Sequence, residues 1–395
     1  MAAIVTDVDL ALCGGGLQSG LIVAAVCGSG SAGTVTLAER ERIGGNHTWC
    51  FHAGDLSPAM RRHVESFVAY RWSSYEVRFP GYRRVLETPY AMISSERLRS
   101  ETLRMLADRG GSTASEHVPA EVDGAGSVRL ADGRTLAART VIDARGAGDP
   151  AVPCGWQKFY GEELTLRREH GLSRPIVMDA TVPQRDGYRF MYVLPLTPER
   201  ALVEDTSFSD GPELDEDERR RRIAEWLREH GWEALRVERS ERGVLPMPMA
   251  EAPEDPVPRR SPPAGPAVLP GGYRGGWFHP GTGYSLPLAA ELAELIAAPP
   301  ADDLAAAVAA AASERRRRAR FCHRLNRLLF RWYPPEARRG IFERFYRLPE
   351  ATIARYYAMR LRPVDKARIL GGRPPAGLSI PARHGGRLTQ AAGNG

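Results

Sequence analysis

A glycine-rich turn near the start of the chain constrains the fold more than any other feature. Residues 8–13 form an apolar run of strand length, three glycines occupy residues 14–16, and residues 21–26 are apolar enough for a buried helix. A second strand-like run over residues 34–38 ends at Glu39, at a distance from the first glycine that is typical of dinucleotide-binding units. The order strand, turn, helix and strand predicts such a βαβ unit at the start of an α/β protein.

The positions of this turn have separate physical roles. Gly14 permits the tight turn, and Gly16 lets the backbone approach a pyrophosphate with no Cβ in the way. The start of the helix then offers free N–H groups and the positive end of a dipole to the phosphates. Glu39 can accept hydrogen bonds from ribose hydroxyls and repel a 2′-phosphate. The third glycine of the usual G-x-G-x-x-G pattern falls on Ser19, and Gly20 follows one place later.

Three later segments are typical of a flavoprotein that returns to its cofactor domain. Gly45, in a Gly-Gly pair after the second strand, would let the chain pass close to a flavin. A predicted strand ends at Asp143 and turns through Gly146. The glycine- and aromatic-rich residues 271–286 lead into a helix predicted over residues 287–296, whose N-terminus could face a charged cofactor ring.

The middle of the chain predicts a second, antiparallel domain inserted into the first. Strand-length runs of this inserted domain cover residues 176–180, 188–194, 201–205 and 242–249. Three earlier runs, over residues 117–122, 127–130 and 140–143, belong to the first domain. Helices are predicted over residues 94–110 and 214–230, and a proline-rich loop over residues 252–270. We therefore expect the first part of a cofactor domain, an antiparallel substrate domain, a return segment, a C-terminal helical region and a disordered tail, over residues 1–155, 156–265, 266–300, 301–370 and 371–395.

Composition excludes several classes of protein. Hydrophobic residues make up 43% of the 395 positions and charged residues 26%, which excludes a disordered or collagen-like chain. Five scattered cysteines without a C-x-x-C pair favour neither a zinc site nor a disulfide framework, so we expect a reducing cytoplasm. The net charge of +6 comes almost wholly from arginine in an alanine-rich chain, a pattern of GC-rich genomes, so we expect no nucleic-acid partner. No apolar run has the length of a membrane span, and no signal peptide is visible.

The C-terminal third is predicted to be helical and basic. An arginine-rich helix over residues 313–333 carries one apolar stripe, formed by Phe321, Leu325, Leu328, Leu329 and Trp332. One interpretation is a helical cap on the protein core. The other is a surface that enters a bilayer interface while its arginines contact lipid phosphates. The sequence alone leaves both open.

Several motifs, taken in order, resemble those of the bacterial lycopene β-cyclases. These are GGGLQSGLI, GGNHTW, VIDARG, GYRFMYVLPL, LVEDTSFSD and GWFHPGTGYSLPLA, and the resemblance extends from about residue 7 to 365. It implies a glutathione-reductase-like, Rossmann-type FAD-binding domain with an inserted antiparallel substrate sheet and C-terminal helices. The implied substrate is lycopene, taken from the inner face of the cell membrane, where other carotenoid-pathway enzymes are expected partners. The implied reaction closes β-ionone rings without net redox change, on FAD kept reduced by NAD(P)H.

The resemblance also assigns residues. It implies one essential acid, Glu204, in a Glu-Asp-Thr motif, and no metal site. The FAD-binding positions that it implies are Gly14, Gly16, Gly20, Glu39, Gly45, Asp143, Gly146, Pro280, Gly283, Tyr284 and Ser285. The sequence departs from other flavoproteins at residues 274–276, which read Arg-Gly-Gly where an Asp is usual. The cyclases share this departure, so it favours them over flavin hydroxylases.

The chemistry of a polyene cyclisation fits Glu204 independently of the resemblance. Protonating an alkene at neutral pH needs an acid whose pKa is raised by an apolar pocket. Glu204 follows an apolar run and lies close in sequence to the aromatic residues 188–192. Because successive strand residues face opposite ways, either Glu204 or its neighbour Asp205 points inward. We favour Glu204.

Two other functions remain open at this point. A redox flavoenzyme, such as an aromatic hydroxylase or a prenyl reductase, would consume NAD(P)H in proportion to its product. A non-enzymatic carotenoid-binding protein would keep its ligand affinity after loss of the Glu204 carboxyl.

Overall fold

The computed structural model describes residues 5–31, 33–123, 126–146, 148–253, 267–298 and 304–371. The strands, numbered in chain order, are β1 (Val5–Cys13), β2 (Val35–Ala38), β3 (Thr48–His52), β4 (Val68–Trp72), β5 (Tyr75–Phe79), β6 (Tyr82–Leu86), β7 (Tyr90–Ser94), β8 (Thr113–Ser115), β9 (Ala120–Val122), β10 (Ser127–Leu130), β11 (Thr135–Asp143), β12 (Cys154–Leu166), β13 (Ile176–Asp179), β14 (Tyr188–Thr197), β15 (Arg200–Ser209), β16 (Ala234–Pro248) and β17 (Ala267–Pro270). The α-helices are α1 (Leu17–Gly28), α2 (Pro58–His63), α3 (Ser95–Ala107), α4 (Glu216–Glu229), α5 (Leu286–Ala297), α6 (Leu304–Arg331), α7 (Arg338–Tyr346), α8 (Glu350–Tyr357) and α9 (Pro363–Leu370).

The first sheet confirms the predicted βαβ unit. Its strand order is β8-β2-β1-β11-β10-β9, with β17 also paired to β11. The strands β8, β2, β1, β11 and β17 run parallel, so each needs a crossover that covers a face of the sheet. The helix α1 is buried over nearly its whole length against α3 and α5, as its continuous apolar sequence requires.

One loop prediction near this sheet is wrong in part. The proline-rich residues 252–270 were expected to form a loop, and residues 254–266 lie outside the described part of the chain. The last four, however, form β17, which pairs in parallel with β11. Its register places Leu269 opposite Ile142, so an apolar contact and ladder hydrogen bonds outweigh the prolines around it.

The second sheet contains the predicted antiparallel strands. Its order is β16-β12-β15-β14-β13-β5-β6, and every neighbouring pair is antiparallel except β13 and β5. Strands β13, β14 and β15 match predicted runs, and β16 extends the predicted run toward its N-terminus. The strands β5 and β6 come from within residues 1–155, the range expected for the cofactor domain. They join this sheet because it buries the side chains of Tyr75, Val77 and Phe79 in an apolar cluster.

The third sheet has the order β3-β7-β4 and was not predicted. Its strands have five residues each, and β4 alternates only between partly buried and exposed positions. Such short strands carry too weak a period-two signal to be recognised without their neighbours. The sheet contributes Cys50, Tyr90 and Met92 to the apolar cluster beneath the second sheet.

The two faces of the second sheet pack against different partners. Leu202, Phe208 and Leu194 face a cluster shared with the third sheet and the C-terminal helices, through Leu329 and Tyr346 among others. Alternate residues on β14 and β15 face the other way and pack against α4. The side chain of any residue on β15 is therefore committed either to the apolar interior or to α4.

The C-terminal helices supply part of the core. Phe321 and Leu329, two members of the predicted apolar stripe on α6, are buried, which agrees with a helical cap. Leu328 and Trp332 instead line a surface hollow of about 270 Å³ together with Phe321, Arg324, Arg327 and Leu370. Among the described helices, none combines the length and the apolar character needed to cross a bilayer. The predicted disorder of the tail concerns residues outside the described part, apart from Gly371.

Candidate active site

The turn between β1 and α1 forms a cradle with open space in front of the helix. Gly14 has φ +101°, and a Cβ there would lie 2.4 Å from the carbonyl oxygen of Ala144. A Cβ on Gly16, the residue that caps α1, would meet no atom within 4 Å. The free N–H groups of α1 therefore face an open space suited to a pyrophosphate. Gly20 does not line this open space but packs against α3, since a Cβ there would lie 2.8 Å from the Leu98 side chain.

The acid at the end of β2 closes one side of this cradle. One carboxylate oxygen of Glu39 accepts a hydrogen bond from the Gly15 amide at 2.5 Å, and the other accepts one from the Glu41 amide at 2.9 Å. The carboxylate is thus held at the rim, where ribose hydroxyls of a dinucleotide would lie.

The second predicted cofactor segment lies directly against the first. Ala144 donates a backbone hydrogen bond to Cys13, which joins the ends of β11 and β1. The carboxylate of Asp143 is paired with Arg145 at 2.8 Å. Burial tends to raise the pKa of Asp143, but the hydrogen bonds and charge of Arg145 outweigh it and lower that pKa. Gly146 follows in the left-handed region, with φ +91°.

The glycine pair after β2 also reaches the cradle. The Gly44 amide donates to the Gly15 carbonyl at 2.8 Å, and Gly45 adopts φ +56°. The Asn46 side chain donates to the Ser240 carbonyl on β16. This segment therefore links the first sheet to the second.

The late glycine loop is held from three sides. His279 accepts a hydrogen bond from the Gly281 amide at Nδ1, so Nε2 carries the proton that it donates to the Tyr356 carbonyl at 2.9 Å. Burial lowers the pKa of His279 to about 4, which keeps the ring neutral. Asn326 donates to the Pro280 carbonyl at 2.8 Å. A Cβ on Gly283 would meet Leu245 of β16 at 2.8 Å, so this loop lies on the second sheet.

The end of this loop begins α5 beside the cradle. Ser285 caps α5, and the neighbouring Tyr284 hydroxyl donates to Asp55 at 2.6 Å. The Gln18 side chain on α1 donates to the Ala289 carbonyl of α5 at 2.9 Å. The structure thus brings the predicted cofactor residues of four distant segments together, and their donors and open space fit a flavin dinucleotide.

Asp55 is a buried carboxylate that sequence reasoning missed. It accepts hydrogen bonds from the His52 amide at 2.7 Å and from Tyr284, and its carboxylate lies 3.3 Å from His52 Nδ1. The His52 ring packs among the rings of Tyr90 and Tyr357 at centroid distances of 4.9 and 5.1 Å. Asp55 follows a short loop with no motif around it, so no sequence pattern marks it.

Glu204 lies in the middle of β15 on the apolar face of the second sheet. It is only 9% exposed, and its cross-strand neighbours are Tyr192 and Gly161. The Thr206 hydroxyl donates a hydrogen bond to Oε1. Burial, reinforced by the negative charge of Glu241, raises the pKa of Glu204 to about 8. At neutral pH the side chain is therefore mostly a neutral carboxylic acid that can donate a proton.

The neighbouring acid has the opposite environment. Asp205 faces α4 and is fully buried, with Arg189 at 2.8 Å and Arg219 at 2.9 Å from its two oxygens. It is an ion-paired carboxylate with no donor role. Of the two acids that the strand alternation left open, Glu204 is the one that faces the apolar interior.

Aromatic residues lie on the β14 side of Glu204, beginning with its cross-strand neighbour Tyr192. Tyr192 and Tyr90 share a hydrogen bond at 3.0 Å, and both are within hydrogen-bond reach of the Cys50 thiol. Farther along β14, the ring of Tyr188 stacks on Phe342 at 4.1 Å. Burial raises the pKa of Tyr90, Tyr192 and Tyr188 well above the usual value, so all three rings stay neutral. Their faces can attract a developing cation.

Several solved structures that match this fold are named as flavin-dependent enzymes, among them a probable FAD-dependent monooxygenase from Pseudomonas aeruginosa with a TM-score of 0.55 at 18% identity, covering 82% of this chain and 97% of that one. A geranylgeranyl bacteriochlorophyll reductase-like protein from Thermoplasma acidophilum matches with a TM-score of 0.63 at 14% identity, covering 92% of this chain and 98% of that one. A flavin-dependent brominase matches with a TM-score of 0.59 at 12% identity, covering 90% of this chain and 94% of that one. At these identities the likeness shows the fold alone, and it confirms the predicted class, a Rossmann-type FAD-binding fold.

The sequence comparisons identify the family within that class. The model of the lycopene cyclase protein family matches residues 9–381. The lycopene beta-cyclases of Pseudescherichia vulneris and Pantoea ananas are 41% and 40% identical to this chain, over 94% and 93% of it and 95% of each relative. The chain belongs to the lycopene cyclase family.

The cradle generates a prediction for two neighbouring glycines. In Gly16→Ala the new methyl group meets no protein atom, so we expect the melting temperature of the flavin-free protein to change little while the Kd for FAD rises at least about tenfold. In Gly14→Ala the strained φ and the contact with Ala144 should lower both stability and FAD affinity. Flavin fluorescence titration and thermal unfolding measure the two effects. Unchanged FAD affinity in Gly16→Ala would contradict this placement of the pyrophosphate.

Proposed function

We propose that this protein is a lycopene β-cyclase, which closes the ψ ends of lycopene to β-ionone rings by acid catalysis. One observation carries the proposal: a carboxyl group that is neutral at pH 7 lies on an apolar, aromatic face in a chain of this family. An exposed carboxylate would already be ionised at that pH and could not protonate an alkene.

The proposed reaction is an isomerisation in which atoms and electrons balance within the substrate. Glu204 gives its proton to carbon C2 of the terminal double bond, and C1 becomes a tertiary cation. Carbon C6 attacks C1, the cation moves to C5, and loss of the C6 proton forms the ring double bond. The Thr206 hydroxyl donates a hydrogen bond to Oε1 of Glu204, so Oε2 is the oxygen that can carry the transferred proton.

The aromatic residues are proposed to hold the reacting end. Tyr192 lies directly across the strand pair from Glu204, and Phe190 and Tyr188 continue the same face of β14. Their rings exclude water and can stabilise a cation without acting as nucleophiles, because burial keeps their hydroxyls protonated. A polyene lying along β14 would present its end to the carboxyl group.

FAD is the proposed cofactor, held by the cradle of Gly14, Gly16 and Glu39 and by the late loop. When bound and reduced, FAD would supply negative charge that stabilises the cationic transition state, with NAD(P)H as the source of the electrons. Arg315 of α6 donates hydrogen bonds to the Gly275 and Gly276 carbonyls. The helix α6 therefore holds in place the Arg-Gly-Gly segment, residues 274–276, that stands where other flavoproteins have an acid.

Replacing Glu204 tests the proposed function. Glu204→Gln keeps the size and neutrality of the protonated acid, so we expect an intact, FAD-loaded protein whose ring formation falls at least about 100-fold. The wild type should convert lycopene to cyclic carotenes in a lycopene-accumulating host, and its purified activity should fall as the pH rises through about 8. Pigment analysis and a pH-rate profile are the measurements.

The same variant has a stability signature with a definite sign. A folded-state pKa of about 8 lies above that of an unfolded Glu, about 4.3, so stability is lost as the pH rises from about 4.3 to about 8 and changes little above that. We expect the wild type to lose melting temperature relative to Glu204→Gln over this pH range.

Unchanged lycopene from a well-folded wild type, or NAD(P)H consumption in proportion to product, would contradict the proposal and favour a redox flavoenzyme. If the wild type forms no rings but binds carotenoids, and Glu204→Gln binds them with the same affinity, a non-enzymatic binding protein would be favoured.

We further propose that the protein associates peripherally with the cytoplasmic face of the cell membrane, where lycopene resides. The hollow that contains Trp332 and Leu328 is flanked by the exposed Arg324 and Arg327, and Leu370 at its edge is 55% exposed. Apolar groups beside arginines suit the boundary between acyl chains and anionic headgroups. Other carotenoid-pathway enzymes are the expected neighbours there.

Vesicle binding tests this surface. The double variant Arg324→Glu, Arg327→Glu should bind anionic phospholipid vesicles at least about tenfold more weakly than the wild type, since each basic residue contributes about 1 kcal/mol near such a surface. The matched control, Arg129→Glu with Arg139→Glu, makes the same change in net charge on the first sheet. Equal losses in both double variants, or no vesicle binding by the wild type, would contradict the proposed surface.

A further inference from the structure

A second buried carboxyl group faces the same space as Glu204. In the second sheet, Gly161 of β12 pairs with Glu204 on one side and with Glu241 of β16 on the other. Residues directly opposite one another across strands point to the same face, so both acids lie on the apolar face with a glycine between them. Glu241 is 5% exposed.

Gly161 makes room for the Glu204 side chain, which lies against it. A Cβ at this position would lie 3.2 Å from the Cβ of Glu204 and 3.3 Å from its Cγ, so any larger residue would push the Glu204 side chain aside. With strands about 4.8 Å apart, the two Cα atoms that flank a middle strand lie roughly 10 Å apart. The Glu204 side chain leans over Gly161 from one side, and Glu241 borders Gly161 on the other.

The environment of Glu241 differs from that of Glu204. Arg239 lies two residues earlier on the same face, 3.1 Å from Glu241 and 2.9 Å from Glu163. Its guanidinium also donates to Thr48, just after the glycine segment that reaches the cofactor cradle. Within the described part of the chain, Glu204 therefore has no cation paired with its carboxyl group, whereas Glu241 forms an ion pair with Arg239 on the cofactor side.

Two carboxyl groups with opposite protonation states are the usual requirement for paired acid and base catalysis. The cyclisation needs a donor for carbon C2 and an acceptor for the C6 proton. We propose that Glu241 is the catalytic base of this site and that the reacting ψ end lies against the two acids on the apolar face of the second sheet; this inference rests on the proposed function.

The step balances without a further reactant. Glu204 gives one proton to C2, the C1–C6 bond forms, and the electrons of the C6–H bond become the C5=C6 double bond. The C6 proton goes to the Glu241 carboxylate. Return of that proton to Glu204, through water or directly, restores the starting state. Asp205, Arg219 and Arg189 lie on the opposite face and take no part.

Isotope exchange in D₂O separates the two roles. With Glu241→Gln we expect β-ring formation to fall at least about 100-fold, while the lycopene recovered carries deuterium at its ψ ends, because Glu204 still protonates C2 reversibly. With Glu204→Gln we expect the same loss and no deuterium. Glu241→Asp should restore part of the activity. The matched control is Glu163→Gln, which removes the other carboxylate that pairs with Arg239. This variant should keep its ring-forming activity within about threefold of the wild type.

Several outcomes overturn the inference. One is a rate of ring formation by Glu241→Gln that equals the rate of the wild type. Another is a Glu241→Gln variant that loses ring formation at pH 7 without deuterium uptake and recovers it at lower pH; this would make Glu241 only a negative charge that raises the pKa of Glu204. Burial sets the basic limb of the pH-rate profile first, followed by Glu241, the Thr206 hydrogen bond, Arg219 and Asp205, which all act on the pKa of Glu204. If the wild type forms no rings, the proposed function and this inference both fail, whereas ring formation by the wild type and by Glu241→Gln refutes the inference alone. Flavin content and melting temperature establish that each variant is folded.

Discussion

The site depends on the burial of one carboxyl group without a cation beside it. Removing an ionised carboxylate from water costs far more than removing a neutral acid, so burial holds the proton on Glu204. The alternation of β15 makes this possible, because it turns Asp205 to the other face, where Arg189 and Arg219 neutralise it. Two adjacent acids thus have opposite charge states within one strand.

The rest of the fold places this acid where the second sheet meets the third sheet and the C-terminal helices. The second sheet presents its apolar face to the third sheet and the C-terminal helices, which bury Glu204 among aromatic rings. The late glycine loop lies on Leu245 of the same sheet, and the glycine segment after β2 is tied to β16 through Asn46. The elements that form the cofactor cradle are therefore also the elements that bound the site of the proposed proton transfer.

Much of this arrangement follows from the sequence, and the remainder has identifiable reasons. The βαβ unit could be predicted because its glycines and apolar runs act locally, and Glu204 because its motif resembles those of a known family. Asp55 and Glu241 could not be predicted, because their roles arise only from pairing with distant residues, Tyr284 and Gly161. The third sheet and strands β5 and β6 are short and join partners far along the chain, so local patterns do not reveal them.

A direct titration of the Glu204 carboxyl group tests the central claim. Infrared difference spectra of the wild type against Glu204→Gln, recorded across a pH series, isolate the C=O stretch of this protonated acid. The account predicts that the band is present at pH 7 and disappears with a pKa of about 8. A band that disappears with the pKa of an ordinary exposed glutamate, about 4.3, would contradict it.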